Sequence, residues 1–211
     1  MVIYDVPHIP DLTKDEARCV ESSFRMILKY FLPKKEFNWR KLDKMLRKPK
    51  KKGAWWFVIY PKLMKMGFEV KEYSSPKLYK GLLREGTGYL YEHYPKQLAE
   101  FYIKESNIKD VVKLLPSIIK KKVFSRKLKG LQGIRNLLDK GYLLVADVDF
   151  SKLIARWYGT THSVAIVGYD KGNIYVNDPA QPKKGKAMKI QNKKFLKAWP
   201  QRELAAIRLK D

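Results

Sequence analysis

The chain has 211 residues, 45% apolar and 13% aromatic, enough hydrocarbon to build the core of one domain and too much for a disordered chain. Forty-five Lys and Arg against 21 acids leave a net charge of +24, a field that draws polyanions or acidic partners. The single cysteine, Cys19, excludes an intramolecular disulfide and a Cys-rich zinc site.

The first twenty residues carry Asp5, Asp11, Asp15 and Glu16 and no apolar h-region. No run is long enough to span a bilayer. A cytoplasmic, reducing compartment is the expectation. The basic clusters "RKPKKK" (47–52), "KKKVFSRKLK" (120–129) and "KKGKAMK" (183–189) read first as solvated loops and helix faces. Nucleic acid is the less favoured partner, because no recognised binding motif accompanies them.

In chain order, Val20, Phe24, Ile27, Leu28 and Phe31 fall at helical spacing and predict a helix over 20–31, stopped by Pro33. Trp39, Leu42 and Leu46 predict a second, shorter helix. The run "AWWFVIYPKLMKMG" reads as a helix closing on Gly67, followed by the strand "FEVKEY". From Pro76 to about Lys140 the pattern is helical, with Pro116 kinking or breaking it and Gly141 ending it. Four strands follow, "YLLVADVDF", "SVAIVGY", "NIYVND" and "ELAAIRL", with the helix "QNKKFLKAW" before the last. Helices first and antiparallel strands last predict an α+β fold in a single 1–211 domain, with 1–140 mainly helical and 141–211 a β-sheet lobe.

The segment "THSVAIVGYDKGNIYVNDPA" (161–180) reads as a hairpin with the three-residue loop "DKG", Gly172 taking the left-handed position. Tyr169 then opposes Asn173 and Val164 opposes Asp178, so His162, Val164 and Ile166 share a face with Ile174, Val176 and Asp178. His162 and Asp178 become diagonal neighbours, close enough for a carboxylate to hold an imidazole. A two- or four-residue loop would separate them, and a strand-end histidine beside a turn aspartate gives the same pattern without chemistry.

Cys19 lies about 120° from the apolar stripe of its helix, beside Ser23, Met26 and Tyr30, which line a cleft or a second packing surface. A thiol at a helix N-terminus is a candidate nucleophile, because the helix dipole and a nearby imidazolium favour its anion. "TKDE" (13–16) also has the form of a capping box that would start the helix at Thr13. His8 and His93 have no neighbours at ligand spacing and read as structural or surface groups, so no metal or other cofactor is implied. Trp157 and Tyr158 are candidates for a cleft wall, and Trp199 for a packing anchor.

Three segments, "VPHIPDLTKDEARCVESSFRMILKYF", "LLDKGYLLVADVDF" and the hairpin itself, resemble the papain-fold cysteine peptidases that process double-glycine bacteriocin leaders, together with their C-thirty-nine-like relatives. The resemblance covers about the first thirty and last seventy-five residues. It implies a papain-like cysteine proteinase fold, a helical lobe carrying the cysteine and a sheet lobe carrying the rest. It implies Cys19 as nucleophile, His162 as general base and Asp178 as orienting acid, cutting a peptide or protein substrate through a thioester.

Two departures stand out. The family's Cys-Gly-Pro is Cys19-Val20-Glu21 here, and no Gln precedes Cys19; Thr13 stands near the family's oxyanion Gln and is the oxyanion candidate beside the Cys19 backbone N–H. The alternatives are a catalytically weak papain-like module that binds peptides or polyanions, and an acyltransferase using the same three residues.

Overall fold

The structure is a computed structural model and describes residues 1–12, 17–153 and 161–210. Thr13, Trp157 and Tyr158 lie outside the described residues.

The chain enters as the short strand β1 (Val2–Ile3) and runs extended to α1 (Cys19–Phe31). Helix α2 (Trp39–Leu46) follows, its start fixed by Asn38, whose side chain accepts from Lys41 N at 2.9 Å. A 3₁₀ turn, Trp56–Ile59, leads into α3 (Tyr60–Lys65). Gly67, at φ 91°, then turns the chain into β2 (Phe68–Ser74).

The helical middle consists of short pieces: α4 (Pro76–Glu85), α5 (Leu90–His93), α6 (Lys96–Glu105), α7 (Ile108–Val111) and α8 (Leu115–Ile119). Pro116 sits in the first turn of α8, where its missing N–H costs nothing, so it opens a helix and does not kink one. Strand β3 (Phe124–Arg126), which the sequence pattern did not suggest, is followed by α9 (Gly130–Asp139) and β4 (Leu143–Val148). The remaining elements are α10 (Phe150–Leu153), β5 (His162–Tyr169), β6 (Asn173–Asn177), β7 (Met188–Gln191), α11 (Asn192–Ala198) and β8 (Leu204–Leu209).

The strands form one sheet in the order β3-β2-β8-β4-β5-β6-β7, antiparallel except for the β2–β3 pair, with β1 also on β5. The α+β reading holds, with one addition: β2 and β3 come from the first 140 residues and join the same sheet, β2 pairing with the last strand, β8. The central strands are buried on both faces, which is why "LLVAD" is a nearly unbroken apolar run. Leu143, Val145, Ala165 and Val167 join the core under α1, while Leu144, Ala146, Val164 and Ile166 pack with Leu138 of α9 and Phe195 of α11.

Helix α1 is a central helix, not a one-sided one. Val20, Phe24, Ile27 and Leu28 are buried as their spacing predicts, but Ser22, Ser23 and Met26 are buried as well. Ser23 Oγ donates to Ser163 O at 3.1 Å, so this second surface packs on β5 and fixes the helix against the strand that begins with His162. Fully burying side chains such as Phe24 and Ile27 contributes about 1.5–3 kcal/mol each. Trp199 is a packing anchor, completely buried, with its indole N–H donating to Glu203 O at 2.9 Å.

Candidate functional site

Cys19 is the first residue of α1. Its neighbour Arg18 is the N-cap, at φ −106° and ψ 15°, with no side-chain cap. Helix α1 therefore starts at the cysteine, the expected capping box at 13–16 lying outside the described residues, and the uncapped N–H groups of a 13-residue helix converge where the thiol sits. Cys19 is half-buried and lines a cavity of about 90 Å³ that His162 also lines.

The hairpin reaches the expected alignment by another route. Tyr169 pairs with Ile174, one residue off the expected partner Asn173, so the loop is longer than "DKG" alone, and Gly172 is not left-handed. A bulge between Ile166 and Gly168 takes up the extra residue, and Ile166 pairs with Val176 as predicted. The rule that a four-residue loop would part His162 from Asp178 fails here because the bulge restores the face. Gly168 sits beside the bulge because β1 crosses there: a Cβ would come within 2.5 Å of Val2 O.

His162 Nε2 lies 2.7 Å from Asp178 Oδ1, and Asp178 is completely buried. The same oxygen accepts from Ala180 N at 2.9 Å, and Asp178 N donates to Gly185 O at 2.9 Å, closing the turn that carries the acid. His8 Nε2 is 2.9 Å from Asp178 O, and Asp11 N donates to Pro179 O at 2.9 Å, so the N-terminal lead braces that turn. His8 is thus structural, and it acts on the site. Phe150 packs against the imidazole at 4.5 Å between ring centres.

With Nε2 engaged by Asp178, Nδ1 is the ring nitrogen left for the thiol. Burial opposes charging the His162 ring, but hydrogen bonding and charge from Asp178 and Cys19 outweigh it and raise the pKa to about 10. The pair therefore favours an imidazolium at neutral pH. Its stabilisation is complete below the ordinary 6.5 and is lost as pH rises through about 10.

Two sets of carboxylates flank this centre, with Glu21 and Glu203 buried. Glu21, two residues into α1 from Cys19, lies 3.4 Å from Lys48 Nζ and 3.6 Å from Arg18, which also bonds Asp43 at 2.6 Å. Lys48 belongs to the "RKPKKK" cluster expected to be solvated; its side chain is instead 1% exposed, drawn inward by Glu21. Lysines 120–122, 183, 184 and 186 of the other clusters are exposed as expected.

The second set lies in the wall of the cavity, Asp147 from β4 and Glu203 just before β8. Neither was singled out from the sequence. The only signal was an acid within an apolar strand, "LLVADV", paired in register with Ser163 next to His162. The rings of Trp55 and Trp56 also line the cavity, although their segment reads only as buried packing. The described residues hold no cluster suited to a metal ion, and no described helix is long and apolar enough to cross a membrane.

No curated protein matches this chain by sequence. Among solved structures, a protein of Bacillus anthracis described as a C39-like peptidase is similar with a TM-score of 0.58 at 14% identity, covering 99% of this chain and 98% of its own. A double glycine motif protease from an AMS/PCAT transporter, crystallised with the leader peptide, is similar with a TM-score of 0.50 at 14% identity, covering 99% and 95%. At that identity the likeness establishes the papain-like peptidase fold alone. The model described as Peptidase_C39 like family matches residues 3–207, and the chain belongs to that family.

Proposed function

We propose that this protein is a cysteine peptidase acting through Cys19, His162 and Asp178. The observation that carries the reading is the 2.7 Å contact between the His162 ring and a fully buried Asp178, in a cavity that also holds the thiol at the start of α1. The Cys19 sulfur adds to a peptide carbonyl carbon, His162 delivers its proton to the departing amine, and a thioester remains; water, deprotonated by the same imidazole, then breaks the thioester. The backbone N–H of Cys19 supplies one oxyanion donor, and Thr13 is proposed for the other. A peptide substrate fits the similarity to a protease crystallised with a leader peptide.

The test is iodoacetamide alkylation across pH. Cys19 should be modified selectively down to pH about 5, and His162→Ala should abolish that acid limb. Alkylation rising only near an ordinary thiol pKa of about 8.5 would overturn the reading. It would leave a peptide-binding module, the second reading, which is favoured by the lack of any Gln before Cys19. Transfer of the acyl group to an amine instead of water uses the same residues and is distinguished by product analysis.

A further inference from the structure

The cavity beside Cys19 differs in charge from the rest of this basic chain. Asp147 and Glu203 line it, no Lys or Arg among the described residues does, and Trp55, Tyr94 and Tyr102 supply aromatic wall. The acids are met mainly by neutral donors. Ser163 Oγ donates to Asp147 Oδ1, and Tyr94 OH donates to Glu203 Oε2 at 2.9 Å, with His93 Nε2 3.5 Å from the other oxygen. One side chain further back, Glu72 accepts from Tyr60 and from Tyr79, whose ring lines the cavity.

Asp147 is where this lining is least satisfied. Its Oδ2 accepts no hydrogen bond from a described residue, and the surface that Asp147 retains faces two cavities. The second cavity, of about 250 Å³, shares Tyr102, Asp147, Thr161 and Glu203 with the first and is also lined by Lys152, whose ammonium pairs with Asp149 at 2.8 Å. Burial, with repulsion from Glu203, raises the Asp147 carboxyl to about 6. The charge of His162 offsets this only in part, and that ring is already held by Asp178, so a second cation has Asp147 and Glu203 to meet; aromatic faces attract the same cation while packing along its apolar stem.

We propose that this cavity is the specificity subsite of the Cys19 centre and takes a cationic side chain, the ammonium of lysine or the guanidinium of arginine, with Asp147 as its main counter-charge and Glu203 beside it. The inference rests on reading Cys19 and His162 as the reacting pair. The site is then a peptidase centre that selects basic positions in its substrate. A chain of net charge +24 repels such peptides in general, and the acid-lined cavity gives the cation a local place to bind.

The test uses short peptidyl acyloxymethyl ketones, which alkylate an activated cysteine, carrying Lys, Arg or norleucine at the residue next to the warhead or one before it. The second-order rate of Cys19 labelling is read by intact mass. At one of the two positions Lys or Arg should exceed norleucine by about tenfold or more, the discrimination that a charge-assisted contact supplies. Asp147→Asn should bring that ratio toward one.

Equal wild-type rates with Lys, Arg and norleucine, in protein whose Cys19 still alkylates in acid, would overturn the subsite and leave the peptidase reading standing. A Cys19 inert in acid would overturn both. A loss in Asp147→Asn that is equal for all side chains would also overturn the subsite, because it assigns Asp147 to supporting the imidazolium. Should that variant not fold, the wild-type ratios and Glu203→Gln decide.

Discussion

Glu21, buried in α1 two residues after Cys19, and Asp147, partly buried in the cavity that Cys19 lines, are carboxylates that the chain compensates in different ways. Glu21 is met by charge, with Lys48 at 3.4 Å and Arg18 at 3.6 Å. Asp147 is met by a serine hydroxyl, by the charge of His162 and by an open cavity. Burial raises both, Glu21 to about 7 and Asp147 to about 6, so neither environment is a comfortable one for an anion. The difference is what remains available. Around Glu21 the countercharges are built in and the cluster holds the N-terminus of α1; around Asp147 the only opposing charge acting from the described residues is that of His162, and the proposed subsite leaves room for a substrate cation.

The sharpest way to break this comparison is to remove the built-in cation. Lys48→Met should cost about 3–5 kcal/mol in urea unfolding, because it leaves Glu21 buried beside Arg18 alone, and adding Glu21→Leu should recover most of the loss. A cost below about 1 kcal/mol would show that the pair is ornamental and that the two regions do not differ.

The next effect concerns Glu72, behind the cavity wall. Burial is the largest influence on it and raises it from 4.5 to about 7, against hydrogen bonds from Tyr60 and Tyr79. A folded-state value above the unfolded one gives stability that is complete below 4.5 and is lost as pH rises through about 7. Relative to Glu72→Gln, the wild type should therefore lose on the order of 3 kcal/mol over that window and no more above it. A pH-independent difference between the two would place Glu72 in an ordinary polar setting.

The smallest effect is expected at Asp147 itself. Asp147→Asn should cost no stability at pH 8, because Asp147, raised from 3.8 to about 6, is ionised there at a cost that the neutral amide does not carry. A loss of about 3 kcal/mol or more would make Asp147 a structural acid like Glu21 and erase the contrast.

Much of the site was legible before the fold was known. His162 and Asp178 share a face because alternation in "SVAIVGY" and "NIYVND" aligns them, and Cys19 was found by its place at the start of an amphipathic helix. The bulge beside Gly168 was not legible, because one extra residue in the loop and one in the strand cancel in the pattern and only their sum matters. Lys48 was misjudged because a lysine run looks solvated until a particular carboxylate, Glu21, is packed against one member. Strand β3 was hidden in a lysine-rich stretch, where three residues carry no period of their own.

Periodicity by itself determined the main apolar face of the principal helices and strands, because a helix turn and a strand pleat impose fixed spacings on the side chains that face the core. It also set His162 and Asp178 on one face of the hairpin. Only the tertiary structure decided which polar groups meet: that α1 starts at the cysteine, that the N-terminal lead braces Asp178, and that Asp147 and Glu203 face one cavity. Hydrogen bonds and charge pairs act over a few ångströms between residues far apart in sequence, and no local spacing encodes that distance.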